Sequence, residues 1–108
     1  MKRAGSIAVG VLMLLTVGAT PAADPGYHLM KTFKVGGDGG WDYLTMDAAA
    51  RRLYISRSSR VMVLDTDSGK IVGEIAGTTG VHGVALVPQS NHGYSSNGGD
   101  ASVTGRCL

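Results

Sequence analysis

The sequence repeats at a spacing of 40 residues, and this period restricts the possible folds more than any other feature of the chain. Residues 41–46 align with residues 81–86, and residues 53–56 align with residues 93–96 at the same offset. A period near 40 that is filled with short β-type segments is typical of a repeat whose units stack on one another. One such unit cannot bury both of its own faces.

Short runs of β-branched and aromatic residues, separated by turns rich in glycine and aspartate, predict strands throughout the rest of the chain. The predicted strands are residues 29–35, 43–47, 52–56, 61–65, 71–75, 84–87 and 93–96. The run 48–52 contains three alanines and two arginines, but it is too short for a helix and is interpreted as a turn. Together these features predict an all-β fold of four-stranded antiparallel β-propeller blades, with about two blades in the chain.

Alternating strand directions assign the predicted loops to two opposite rims. One rim holds residues 36–42, 57–60, 77–82 and 97–100. The opposite rim holds residues 48–51, 66–69 and 88–91. Arg51 and Arg52 are therefore expected on the opposite rim from Arg57 and Arg60, which argues against a continuous nucleic-acid-binding stripe.

Residues 1–22 are predicted to be a secretory signal peptide. Lys2 and Arg3 give a positive start, residues 7–17 form an apolar run, and Ala22 ends a small-residue cleavage site. The apolar run has 11 residues, fewer than the roughly 20 that a membrane-spanning helix needs. We expect export to the periplasm or the medium, with a retained N-terminal anchor as the alternative.

Residues 23–108 are predicted to form the mature part, a partial β-propeller. The whole chain has ten basic and eight acidic residues, and eight of each remain when Lys2 and Arg3 are removed. This neutral balance gives no electrostatic indication of nucleic-acid binding. Cys107 is the only cysteine, so no internal disulfide is expected and the fold depends on packing.

Two copies of one short element carry a family likeness. Leu-Tyr-Ile-Ser-Arg at residues 53–57 and Gly-Tyr-Ser-Ser-Asn at residues 93–97 resemble the Tyr-Val-Thr-Asn element of the YVTN β-propeller repeat family. Residues 81–88 resemble that family's innermost-strand motif, and residues 65–70 resemble its outer hairpin. The chain is most similar to the exported YncE-like branch. The resemblance implies a propeller, usually seven-bladed, in which residues 27–35 would close the ring as a strand.

Residues 105–108 depart from the repeat. After residues 100–104 the pattern requires two apolar residues and an acidic one, as at residues 63–65, whereas the chain reads Gly-Arg-Cys-Leu. We therefore expect the second blade to break off within a strand. The departure predicts a truncated or frameshifted reading frame, and a non-functional gene remnant is one alternative that follows from it.

Asp42 and His82 are the leading candidates for a ligand site. They occupy equivalent positions at the entry to the innermost strand of successive blades, so we expect them to be neighbours at the mouth of a central channel. A histidine beside a carboxylate can bind a ligand, a metal ion or a proton. The alternative is that both side chains hydrogen-bond to loop backbone. Trp41 either presents its ring to the same ligand or packs between blades.

Arg57 and Asn97 occupy equivalent positions on the same rim and complete the set of candidate ligand-binding residues. Arg57, with Arg60, is a candidate contact for an anionic partner. The glycine-rich run 36–40 lacks the Gly-Lys-Ser/Thr ending of a phosphate-binding loop and is interpreted as a sharp turn. Residues 65–69 begin like a calcium loop but have glycine at a ligand position, so a hairpin turn is expected.

These features favour an exported binding or scaffold module over an enzyme. No set of nucleophile, base and orienting group can be assembled, and the histidines lack metal-ligand spacing, so we expect no catalytic residue, metal site or cofactor. The partner would be an unidentified ligand or protein at the rim that carries Trp41, Asp42 and His82. The alternative is the N-terminal part of a propeller enzyme of lactonase or lyase type, with His82 in a channel-mouth site.

Overall fold

The computed structural model describes residues 26–108. Its strands are β1 (Leu44–Asp47), β2 (Arg52–Arg57), β3 (Arg60–Asp65), β4 (Ile71–Ala76), β5 (Val81–Val87), β6 (His92–Asn97) and β7 (Ser102–Cys107). One 3-10 turn, Pro88–Ser90, joins β5 to β6. Residues 26–30 form no helix or strand. The predicted signal peptide, residues 1–22, lies outside the described residues.

The strands form two antiparallel sheets, which confirms the all-β prediction. The first sheet has the order β1-β2-β3-β4, and the second has the order β5-β6-β7. Each strand pairs with its neighbour in sequence, so both sheets are simple meanders joined by short turns. Residues 48–51 form a turn rather than a helix, as predicted.

The strand register shows the 40-residue repeat directly in the backbone. Thr45 lies opposite Tyr54 in the first sheet, and Ala85 lies opposite Tyr94 in the second. All four pairs between β1 and β2 recur between β5 and β6 at an offset of 40. Since one residue of slip would turn every side chain to the other face, this match means that equivalent residues lie on equivalent faces.

The next hairpin changes the offset from 40 to 42. Arg57 pairs with Arg60 across a two-residue turn, whereas Asn97 pairs with Ser102 across a four-residue turn. Beyond this point Val103, rather than Ala101, is therefore the equivalent of Val61. The side-chain pattern of the second repeat continues, displaced by two positions.

One face of each sheet carries its tyrosine, and we call it the tyrosine face. In the first sheet Tyr54, Val61 and Val63 lie on this face and pack against Val81 of the second sheet. The hydroxyl of Thr45 also donates a hydrogen bond across the interface, to a backbone carbonyl of β5, over 2.7 Å. The tyrosine face of the first sheet is thus buried against the second sheet.

The other face of the first sheet, its reverse face, is covered by residues 31–35. Phe33 and Val35 pack on the buried side chains of Ile55, Met62 and Leu64. The prediction of a strand over residues 29–35 is wrong, because none of these residues is in a strand, and residues 31–35 lie on a sheet face instead of beside a free strand edge. Phe33 and Val35 pack against buried side chains, whereas Leu29 and Met30 are exposed, and the backbone of residues 29–35 joins no ladder of hydrogen bonds.

Two further strand predictions needed correction. β5 begins at Val81 rather than at residue 84. A β-bulge between Val81 and Gly83 bends the strand near its start. β7 runs through residues 105–107 and pairs with β6 along its whole length, despite the change in side-chain pattern. Strand pairing needs backbone donors and acceptors, and glycine, arginine and cysteine supply these as well as apolar residues do.

The predicted division of the loops between two rims is confirmed by their hydrogen bonds. On one rim the amide of Val81 donates to the carbonyl of Ser58, and the amide of Gly98 donates to that of Gly80, both over 2.9 Å. On the opposite rim the amide of Thr66 donates to the carbonyl of Arg51 over 3.0 Å. All the predicted site residues belong to the first of these rims, which we call the site rim.

Candidate functional site

The structure brings Asp42 and His82 together on the site rim. The Nδ1 atom of His82 lies 2.8 Å from Oδ2 of Asp42, and both residues are exposed. When the imidazole is neutral, this contact requires the proton on Nδ1, which then donates to the carboxylate. The second carboxylate oxygen of Asp42 has no hydrogen bond within residues 26–108, and it remains available as an acceptor.

The repeat explains why these two side chains meet. Asp42 precedes β1, His82 lies at the start of β5, and the two strands run side by side where the sheets join. The amide of Tyr43 donates to the carbonyl of His82 over 3.1 Å, and the amide of Asp42 donates to the carbonyl of Ser56 over 3.1 Å. Both backbones are therefore fixed beside the carboxylate–imidazole pair.

The pair opens into a shallow cleft of about 210 Å³ between the two repeats. The cleft is lined by residues 40–42, by Ser58 and by residues 80–82, so equivalent segments of both repeats form its walls. The imidazole packs over Gly98, where an added Cβ would lie 2.5 Å from Nε2 of His82. Gly98 was not singled out in the sequence, because no local pattern shows that a ring rests on it.

Trp41 stands at the edge of this cleft with one face of its ring against Arg57. The guanidinium carbon of Arg57 lies 3.5 Å from the ring centroid, in cation–π geometry. The indole is more than half exposed. Trp41 is therefore neither fully buried between the two sheets nor free: one face of its ring lies against Arg57, and part of the ring is exposed to solvent.

Arg57 is 1% exposed, and its guanidinium organises the glycine-rich loop. It donates hydrogen bonds to the backbone carbonyls of Gly36, Gly37, Asp38 and Gly39. A planar group with five donors suits this arrangement of carbonyls in a way that a lysine would not. The structure thus places this predicted anion contact inside the fold, with its donors already occupied.

Arg60 and Asn97 are also tied to the structure of the rim. Arg60 donates to the carbonyl of Asp38 over 2.9 Å and pairs with Glu74 at 3.3 Å. Asn97 is buried, and its side-chain amide donates to the hydroxyls of Ser102 and Thr104. Of the five predicted site residues, the structure therefore brings Trp41, Asp42 and His82 to the open cleft, while Arg57 and Asn97 lie beneath the rim.

The opposite rim holds a separate group of charges. The amide and the hydroxyl of Ser68 both donate to the side chain of Asp65, and these hydrogen bonds lower the pKa of that carboxyl. Arg51 pairs with Asp67, which lowers the pKa of Asp67 and raises that of Arg51. These contacts close the predicted hairpin turn at residues 65–69.

Within residues 26–108 no three histidine, cysteine, aspartate or glutamate side chains are grouped closely enough to hold a metal ion. The same part of the chain includes no helix of the length and apolarity that a membrane crossing requires. Among the described residues, no hydroxyl or thiol is hydrogen-bonded to His82, so the pair has an orienting carboxylate but no partnered nucleophile.

Comparisons of the chain with models of protein families, with curated proteins and with solved structures returned no match. The description of the fold and of the cleft therefore depends on the structure alone.

Proposed function

We propose that this chain is a pair of β-propeller blades that acts as an exported binding module, with its ligand held in the Asp42–His82 cleft. The observation that carries the proposal is the hydrogen-bonded pair itself, made by equivalent residues of two successive repeats and left open to solvent. Ligand sites are typically concave, with a few converging polar groups beside apolar surface. The cleft has this form, on a small scale.

The propeller assignment rests on three supports. Both sheets are antiparallel meanders, and the strand register of the first recurs in the second. The sheets are also stacked, with the tyrosine face of the first against the reverse face of the second. The likeness of residues 53–57 and 93–97 to the YVTN repeat agrees with this arrangement. Export follows from the features of residues 1–22, and it would place the cleft in the periplasm or the medium.

The chemistry of the cleft favours a small, neutral, hydroxyl-rich ligand such as a monosaccharide. The free oxygen of Asp42 accepts hydrogen bonds, so it selects a ligand with donors and repels an anion. The exposed part of Trp41 offers an apolar plane on which the C–H face of a sugar can lie. Arg57 already occupies one face of that ring, which reduces its attraction for a second cation.

Trp41 is the only tryptophan and supplies a fluorescence signal at the site itself. We would titrate the full chain with glucose, galactose and N-acetylglucosamine, using inorganic phosphate as an anionic comparison. The proposal predicts a saturable change with at least one sugar and none with phosphate. Removing one hydrogen-bonding partner, as in Asp42→Asn or His82→Ala, should weaken the affinity by about fivefold or more.

His92 provides the matched control, because it is a histidine on the opposite rim, away from the cleft. His92→Ala should leave the titration unchanged. Gly98→Ala tests the geometry without removing a polar group, since its methyl would push the imidazole of His82 away from Asp42. A flat response to all three sugars, or equal losses in His82→Ala and His92→Ala, would overturn the proposal.

A further inference from the structure

The second sheet exposes a surface equivalent to one that the first sheet buries. Tyr54 and Val61 on the tyrosine face of the first sheet are 3% and 0% exposed, beneath the second sheet. Their equivalents Tyr94 and Val103, on the tyrosine face of the second sheet, are 42% and 69% exposed. The ring of Tyr94 lies beside Gly105, where an added Cβ would be 3.1 Å from Cε1 of the ring.

The first sheet, in turn, leaves part of its reverse face exposed. This face is the equivalent of the one that the second sheet uses for packing. Val84 and Leu86 of β5 pack onto the first sheet. Their equivalents in β1 are Leu44 and Met46, which lie on the reverse face of the first sheet and are 61% and 48% exposed. The covering segment, residues 31–35, packs over β2 and β3 and leaves this strand uncovered.

Residues 31–108 therefore form one completed interface and expose two half-interfaces of the same kind. The completed one joins the tyrosine face of the first sheet to the reverse face of the second. The half-interfaces are the tyrosine face of the second sheet, with Tyr94 and Val103, and the reverse face of the first, with Leu44 and Met46. Exposed apolar patches of this sort mark sites of association.

We infer that the occupant of the Tyr94/Val103 face is a second copy of this chain, which docks through its Leu44/Met46 face. The contact repeats between two molecules the packing that already joins the two sheets within one. It is heterologous, so successive copies close into a ring if the rotation between them allows it, and otherwise grow into an open chain. This inference does not depend on the ligand proposed for the cleft.

Two features of the structure make a head-to-tail contact the better fit than a face-to-face one. Tyr94 and Val103 have complementary partners in Leu44 and Met46, since the equivalent residues already fit each other inside the molecule. The covering segment packs over β2 and β3 and leaves Leu44 and Met46 of β1 open to a neighbour. The contact also sets Asp42 of one copy beside His82 of the next.

The test is to measure the mass of the full chain by sedimentation velocity over a wide range of concentrations. The unmodified chain should form species larger than a monomer as concentration rises. Tyr94→Glu and Met46→Asp should each be monomeric, because each places a charge in one half of the contact. Gln89→Glu is the control: it adds the same charge at an exposed position on the opposite rim and should associate as the unmodified chain does.

Mixing the two monomeric variants distinguishes the head-to-tail contact from other modes of association. Tyr94→Glu keeps an intact Met46 face and Met46→Asp keeps an intact Tyr94 face, so the mixture should form a dimer that grows no further. A dimer in the mixture also shows that both variants are folded. A monomeric unmodified chain at every concentration, or two variants that stay monomeric when mixed, would overturn the inference.

Discussion

The two sheets have the same backbone register and different interiors. In the first sheet the positions around β2 and β3 are apolar, and Arg57 reaches out of this core to hold the glycine-rich loop. In the second sheet the equivalent positions include Ser95, Asn97 and Thr104, which are joined by hydrogen bonds. The comparison teaches that turns and strand alternation set the fold of each repeat, whereas its neighbours determine which side chains it can bury.

The largest expected difference concerns the two tyrosines. Tyr54→Ala should destabilise the protein by about 3 kcal/mol or more, because a buried aromatic side chain leaves a cavity between the sheets. Tyr94→Ala should change the stability of the monomer by less than about 1 kcal/mol, since exposed positions tolerate truncation. Urea denaturation of both variants measures the difference. Equal losses would mean that the two faces are not buried as described.

The next comparison is between Arg57 and Asn97. Arg57→Ala should cost about 2–3 kcal/mol, because a charged donor is lost and several loop carbonyls lose their partner. Asn97→Ala should cost less, about 1–2 kcal/mol, since it removes neutral hydrogen bonds. Only Arg57→Ala should also raise amide hydrogen exchange in the loop at residues 36–40. Normal protection of that loop would contradict the role given to Arg57.

Alanine substitutions at two glycines distinguish the stability that the covering segment contributes from the cost of backbone strain. Gly69 and Gly77 both have positive φ, so an alanine at either strains the backbone, by roughly 1–2 kcal/mol. At Gly69 the new methyl would also collide with the ring of Phe33, whereas at Gly77 it meets nothing. Gly69→Ala should therefore lose more stability than Gly77→Ala in denaturation, and an equal loss would show that Phe33 does not rest on the hairpin.

The smallest expected effect is the loss of stability at low pH that comes from two carboxylates of the first sheet. The folded chain lowers the pKa of Asp65 and Asp67, so both carboxylates stabilise the fold at pH values above their ordinary pKa of about 3.9. This contribution is lost as the pH falls through the lowered values. Asp65→Asn with Asp67→Asn should flatten the decline of stability in acid thermal melts. If the stability of the double variant fell as steeply in acid as that of the unmodified chain, other groups would be responsible for the decline.

Much of the fold was predictable from the sequence, because the repeat fixes strand order, register and the assignment of loops to rims. Asp42 and His82 were expected to be neighbours for the same reason, and the structure places them in contact. These predictions rest on periodicity, which is a property of the sequence alone. The roles of the side chains were harder to predict, since they depend on contacts made across the fold.

Arg57 shows why the remaining features were not predictable. An arginine in a loop is usually solvated, and only the bend of the glycine-rich segment brings its carbonyls around the guanidinium. Residues 29–35 contain β-branched and aromatic residues that are typical of a strand, but a strand also needs a free edge, which the sequence does not show. Gly98 supports the imidazole of His82 through a turn that is two residues longer than its equivalent in the first repeat.

The central claim is that the two repeats pack face against face and so bring Asp42 beside His82. Nuclear Overhauser spectroscopy of the labelled chain tests it most directly. The account predicts contacts between the ring protons of Tyr54 and the methyl groups of Val81, together with a contact between the imidazole of His82 and the methylene of Asp42. If Tyr54 gave no contact to the second sheet and His82 none to Asp42, the repeats would not share an interface and the proposed cleft would not exist.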